Sequence, residues 1–109
     1  MNSLTLNGCT ISYDWIVAEF DPQSAAGSAA WSAAEHAVLT FCRNWLTGQS
    51  EFTLPTSGST GAPKTIRLTR AQMTASAQRT GQALGLQPGE RALGCLNPGY
   101  IAGRMMLVR

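Results

Sequence analysis

Lysine and histidine each occur once in these 109 residues, as Lys64 and His36. No stretch approaches the ~18 consecutive apolar residues of a membrane span, so none is expected. The opening MNSLTLNGCT has no basic segment running into an apolar one, so no secretory signal is expected and the expected location is the cytoplasm. Cys9, Cys42 and Cys95 are odd in number and widely spaced. Without CxxC or Cys/His spacing they suggest no zinc site, and buried reduced thiols are the expectation. Charged residues make up only 13% of the chain against 44% hydrophobic, which argues against intrinsic disorder. Length and composition together give one domain or part of one.

What charge there is lies unevenly. Before Thr56 the single basic residue, Arg43, faces five acidic ones: Asp14, Glu19, Asp21, Glu35 and Glu51. From Thr56 onward Lys64, Arg67, Arg70, Arg79, Arg91, Arg104 and Arg109 face Glu90 alone. A positive half favours an anionic ligand, although solvated arginines give the same count. Few aromatics and no clustered basic stripe argue against a nucleic-acid partner.

The local patterns suggest α/β structure. Residues 3–6 and 9–12 alternate in polarity around Asn7-Gly8, a dipeptide suited to a type I′ hairpin turn. Asp21-Pro22 can open an amphipathic helix, with Trp31, Val38, Leu39, Cys42, Trp45 and Leu46 along its inward stripe and a stop at Gly48. His36 on that helix is expected at the surface, with no catalytic role. "EFTLP" at 51–55 and "TIRL" at 65–68 read as strands on either side of a loop. Thr69 and Gln72 form a capping box, predicting a helix with Met73, Ala77, Thr80 and Leu84 inward and Gly85 at its end. Pro88-Gly89 then turns into "RALGCL", read as a strand completing a βαβ crossover.

The stretch that stands out is "TSGSTGAPKT", residues 56–65. A flexible linker is one reading, but little chain lies on either side to make two domains, and Pro63 would stiffen it. A shaped loop is the other. Glycines allow backbone conformations closed to other residues, so successive N–H groups can converge on one anion. Ser57, Ser59 and Thr60 add hydroxyl donors, and Lys64 adds a mobile positive charge. This is an inventory for polyphosphate, yet not a Walker A loop. Counted from Gly58, the second required glycine falls on Pro63, and a strand follows Lys64 where a helix should.

Thr56 to Lys64 resembles the phosphate-binding signature of the adenylate-forming enzymes, Thr/Ser-Ser-Gly-Thr/Ser-Thr-Gly-x-Pro-Lys, at every position. These are the acyl- and aryl-CoA ligases, peptide-synthetase adenylation domains and luciferases. "CLNPGYIAGRMMLVR" is similar to a later family segment bordering the acyl pocket, with Tyr100 where His or an aromatic usually stands and Gly103 as its glycine. "PKTIRLT" and "YIAGRMMLVR" look most like the o-succinylbenzoate–CoA ligases of menaquinone biosynthesis. The resemblance covers residues 51–109. Thr65 departs from it by replacing a common glycine, and Asn97 by replacing a common proline.

The resemblance implies an ATP-dependent acid–CoA ligase that forms an acyl-adenylate and then a thioester. Its cofactors would be ATP and Mg²⁺, with coenzyme A as co-substrate and Mg²⁺ ligands outside these residues. Residues 1–109 would be a single partial domain, the start of an AMP-binding N-terminal domain. It would comprise a hairpin, an amphipathic helix, then strand–loop–strand–helix–strand. Thr56, Ser57, Gly58, Ser59, Thr60, Gly61 and Lys64 would hold the ATP phosphates. Tyr100 and Gly103 would border the acid pocket, Tyr100 being equally readable as a packed core tyrosine. No catalytic residue or metal ligand is expected within 1–109, and the chain alone is expected to be inactive. The apolar run Met105, Met106, Leu107, Val108 is expected to be exposed and to favour self-association. The alternatives are a non-catalytic nucleotide- or phosphate-binding module, and an acyl-CoA synthetase of other specificity.

Overall fold

The computed structural model describes residues 2–24, 30–55, 61–62 and 64–109. They fall into two compact units, 1–49 and 50–109. The first opens with antiparallel strands β1 (Ser3–Leu6) and β2 (Cys9–Ser12), with Leu4 opposite Ile11 and Leu6 opposite Cys9. Asn7 and Gly8 turn the hairpin at φ 50° and 83°, the positive values a type I′ turn needs.

β2 passes straight into a helix that the alternating pattern did not suggest, α1 (Tyr13–Ala18). Ser12 caps it, its Oγ accepting from the Trp15 N–H at 3.1 Å, and Asp14 lies in its first turn. Six residues are too few to hold a helix by propensity alone. Packing holds this one: Ile16 and Phe20 are buried with Ile11 and Leu39, and Leu6, Tyr13, Trp31 and Cys42 close around them. Each fully buried side chain of this size contributes about 1.5–3 kcal/mol.

The following helix, α2 (Ala33–Leu46), starts at Ser32, not at Asp21-Pro22. Ser32 and Glu35 form a reciprocal capping box: Glu35 N–H donates to Ser32 Oγ at 3.2 Å, and Ser32 N–H donates to Glu35 Oε1 at 3.0 Å. Three residues after Asp21 stands Ser24 where a capping box has Glu or Gln, and Asp21 Oδ1 closes a local turn by accepting from Gln23 N–H at 2.9 Å. The inward stripe also differs from expectation. Val38, Leu39 and Phe41 are buried, Trp31, Cys42 and Trp45 half-buried, and Leu46 exposed. Phe41, absent from the expected stripe, packs on Trp45 with ring centroids 6.0 Å apart. Gly48, at φ 91°, ends the turn after the helix.

His36 is not a surface residue. It is half-buried, edge-on to Phe20, with Nε2 3.1 Å from the Pro22 carbonyl oxygen and Nδ1 3.5 Å from Thr40 Oγ1. A carbonyl only accepts, so Nε2 carries the proton. The histidine pins the segment entering α2.

The backbone N–H of Ser32, then the side chains of Ser32 and Asn7, hold the Glu35 carboxyl below the usual carboxylate range. A lowered folded pKa stabilises fully above the unfolded value, about 4.3, and that stabilisation is lost as pH falls through the folded one. Glu35→Gln is therefore expected to flatten the acid limb of a melting-temperature titration below about pH 4.3. An unchanged slope would remove Glu35 from the acid response.

In the second unit β3 (Glu51–Pro55) and β4 (Thr65–Thr69) pair antiparallel, Phe52 opposite Leu68 and Leu54 opposite Ile66. Phe52 and Leu54 point into the core while their neighbours face outward. Thr69 caps α3 (Arg70–Leu84) through the expected box: Gln72 N–H donates to Thr69 Oγ1 at 3.1 Å and Thr69 N–H to Gln72 Oε1 at 2.9 Å. Gly85 ends the helix at φ 66°. Met73 is buried and Ala77 and Thr80 half-buried, but Leu84, expected inward, is 69% exposed.

The chain then departs from the βαβ expectation. Residues 91–96 form no strand, and Leu93 is 83% exposed. An apolar pattern marks what a segment can bury, whereas a strand also needs a ladder partner. Among the described residues β3 and β4 pair only with each other. The final element is a helix, α4 (Ile101–Val108). It buries Met105 and half-buries Met106, Leu107 and Val108, so the apolar surface expected there is only partly open. The thiols differ too: Cys9 and Cys95 are exposed and Cys42 is half-buried.

Candidate phosphate-binding site

The 56–64 stretch connects the paired ends of β3 and β4, Pro55 standing opposite Thr65. Thr56, Ser57, Gly58, Ser59, Thr60 and Pro63 lie outside the described residues. Gly61 and Lys64 are described, and both are exposed. Gly61 has φ 116°, a backbone closed to β-branched residues. A Cβ built on it would meet no atom of the described residues within 4 Å, so among them conformation rather than crowding favours glycine here.

The ladder also decides which groups can serve an anion. Lys64 leads into β4, whose five residues separate it from the N-terminus of α3. At ~3.4 Å per residue that is roughly 17 Å. The first-turn N–H groups of α3 are partly committed as well, Thr69 and Gln72 to each other's side chains and Arg70 N–H to the Ser50 carbonyl at 2.7 Å. The α3 terminus is therefore too far from Lys64 for the two to share one anion, unlike the loop and helix of a Walker A site. A depression lined by Ser50, Glu51, Thr69, Arg70, Thr74 and Gln78 lies at the far end of the hairpin from the loop.

Tyr100 and Gly103 sit apart in sequence from the loop, at the start of α4. Tyr100 is its half-buried N-cap, without a side-chain capping bond. Asn97 makes the preceding turn in its own way, Oδ1 accepting from Gly99 N–H at 2.8 Å and its carbonyl from Tyr100 N–H at 3.2 Å. Gly103 is buried under that turn, where a Cβ would overlap the Asn97 carbonyl and stand 2.9 Å from Pro98 N. Sequence reasoning missed this close backbone approach, because a glycine within a helical run does not disclose what crosses it. Gly103→Ala must displace backbone and is expected to cost about 1–3 kcal/mol, read as a lower midpoint in thermal or urea melts. An unchanged midpoint would mean the turn shifts freely. Among the described residues no group of three or more His, Cys, Asp or Glu could hold a metal. No described helix is long and apolar enough to cross a membrane.

No protein-family model matches the chain, and no curated protein does. A solved structure does: the acyl-CoA synthetase (AMP-forming)/AMP-acid ligase II-like protein from Dyadobacter fermentans. It is 59% identical, with a TM-score of 0.67, over 72% of this chain and 22% of that one. The chain thus spans 22% of the length of the synthetase it matches. The likeness supports the adenylate-forming superfamily, and the mixed helices and strands agree with part of such an enzyme.

Proposed function

We propose that residues 1–109 are the phosphate-loop part of an AMP-forming acid–CoA ligase. The observation that carries this reading is the 59% identity to an AMP-forming acyl-CoA synthetase. In this reading a substrate carboxylate attacks the α-phosphate of ATP, pyrophosphate leaves, and the coenzyme A thiol then displaces AMP from the acyl-adenylate.

The physical difficulty is charge, because an anionic acid must approach a polyanion and another polyanion must depart. The N–H groups and hydroxyls of Thr56, Ser57, Gly58, Ser59, Thr60 and Gly61, with the Lys64 ammonium, neutralise the β- and γ-phosphates and stabilise the leaving charge. When bound, Mg²⁺ would add charge neutralisation, held by ligands outside these residues. Tyr100 and Gly103 border the acid pocket. "PKTIRLT" and "YIAGRMMLVR" favour o-succinylbenzoate as the acid.

The test is AMP release from ATP by the full-length protein with Mg²⁺ and coenzyme A, across o-succinylbenzoate and unrelated carboxylic acids. Acid-dependent AMP and pyrophosphate are expected, o-succinylbenzoate giving the highest kcat/KM. Faster turnover of another acid would reassign the specificity. ATP binding without AMP release for any acid would make this a non-catalytic nucleotide-binding module.

A further inference from the structure

The segment around Tyr100 is tied from four directions. Asn97 Oδ1 holds Gly99 N–H at 2.8 Å, the Asn97 carbonyl holds Tyr100 N–H at 3.2 Å, and the Tyr100 carbonyl accepts from Arg104 N–H at 3.1 Å. Arg104 also turns back so that its Nε donates to the Pro98 carbonyl. Gly103 completes the closure, since only a residue without Cβ lets the Asn97-Pro98 backbone cross α4 at that point.

The Arg104 N–H bond is the ordinary first bond of α4, whereas the Asn97 bonds and the Arg104 side chain tie the turn before it. Tyr100 gives no side-chain cap to α4, and its hydroxyl makes no hydrogen bond among the described residues. The ring is the half-buried group at the centre of a fixed backbone, with its polar tip uncommitted. A charged donor on a carbonyl contributes about 1.5–3 kcal/mol, which offsets part of the ~1–2 kcal/mol per residue that ordering the turn costs and so favours one arrangement of it.

We infer that Asn97, Gly103 and Arg104 are positioning residues that fix Tyr100 as a rigid wall for the acid, and so set which carboxylic acids are accepted. This rests on the proposed ligase reading, in which Tyr100 borders the acid pocket. The clamp acts before chemistry, by sparing the bound acid the cost of ordering the wall. Loosening it removes binding shared by ground and transition states, so KM for the acid rises while kcat and the KM for ATP hold.

The test pairs kinetics with hydrogen exchange of the peptide spanning 95–104, both in the full-length protein. Asn97→Ala removes the acceptor for Gly99 N–H, whereas Asn97→Asp keeps a side-chain oxygen in its place. Asn97→Ala and Arg104→Gln are expected to speed exchange across 98–100 and raise acid KM about tenfold, the equivalent of ~1.4 kcal/mol. They are also expected to narrow the discrimination between acids, with Asn97→Asp restoring both readouts. Faster exchange with acid KM and discrimination unchanged would overturn the inference and leave the clamp as scaffold. Unchanged exchange in both variants would overturn it as well. Failure of the ligase reading has its own signature, faster exchange in a protein whose wild type releases no AMP with any acid.

Discussion

Lys64→Ala in the full-length protein is expected to weaken pyrophosphate and ATP binding about 10- to 100-fold and to leave the melting temperature nearly unchanged. The affinity figure is the loss of one charge-assisted contact, about 1.5–3 kcal/mol. The stability figure follows from exposure. Lys64 lies on the surface beyond the β3–β4 ladder, and exposed substitutions usually stay within about 0.5 kcal/mol. It is also the sole lysine in the chain, so no neighbouring lysine in these residues substitutes for it. Lys64→Arg keeps the charge and should recover part of the affinity, with a steeper loss on adding salt than a neutral variant shows. Calorimetric titration with pyrophosphate alongside thermal melts separates the two effects. An unfolded Lys64→Ala protein would make the lysine structural, and a folded one with wild-type affinity would remove it from the anion site.

How far the sequence alone reaches is best judged element by element. Asn7-Gly8, Thr69 with Gln72, and Gly85 were legible because their chemistry is local: a positive φ or a reciprocal side-chain bond is complete within four residues. Ser32 with Glu35 obeys the same rule and is the stronger start signal, since Asp21-Pro22 has only half of a capping signal. α1 escaped because six residues carry too little periodicity, and what holds it is burial of Ile16 against Ile11 and Leu39, distant in sequence.

Residues 91–96 show the opposite failure. Their apolar pattern promised a strand, and pairing, which sequence pattern does not report, decided otherwise. His36 and Gly103 owe their places to single carbonyls, of Pro22 and Asn97, that approach from outside their own helices. The 56–64 stretch stands out in sequence for a chemical reason. Glycines, hydroxyls and one lysine in fixed order are an inventory for an anion by composition alone, and the structure adds the ladder that joins the two ends of the stretch.

Gly61→Val is expected to abolish measurable phosphate binding, and Gly61→Ala to give an intermediate affinity. Gly61 holds φ at 116°, where an L side chain is strained, and strain of this kind costs about 1–3 kcal/mol. The strain must be relieved somewhere. The register from Glu51–Thr69 to Pro55–Thr65 anchors both strands, with Phe52 and Leu54 buried beneath them, so the ladder is the stiff partner. The loop gives instead, rotating Gly61 to negative φ and turning its N–H away from the anion. A loop that must then reach the binding conformation against about 3 kcal/mol binds about 100-fold more weakly. Because a Cβ at 61 meets no atom of the described residues within 4 Å, a clash with them cannot account for the loss. Two causes remain, backbone strain and crowding of the phosphate itself, and the series separates them. Strain puts most of the loss in the first step, glycine to alanine, with a further step for the β-branched residue. Crowding scales with side-chain size and leaves alanine near wild type. Calorimetry with pyrophosphate and thermal melts on the glycine, alanine and valine forms read this directly, with melting temperatures expected to stay close together. Equal phosphate affinity across all three would show the loop to be a passive connector between β3 and β4.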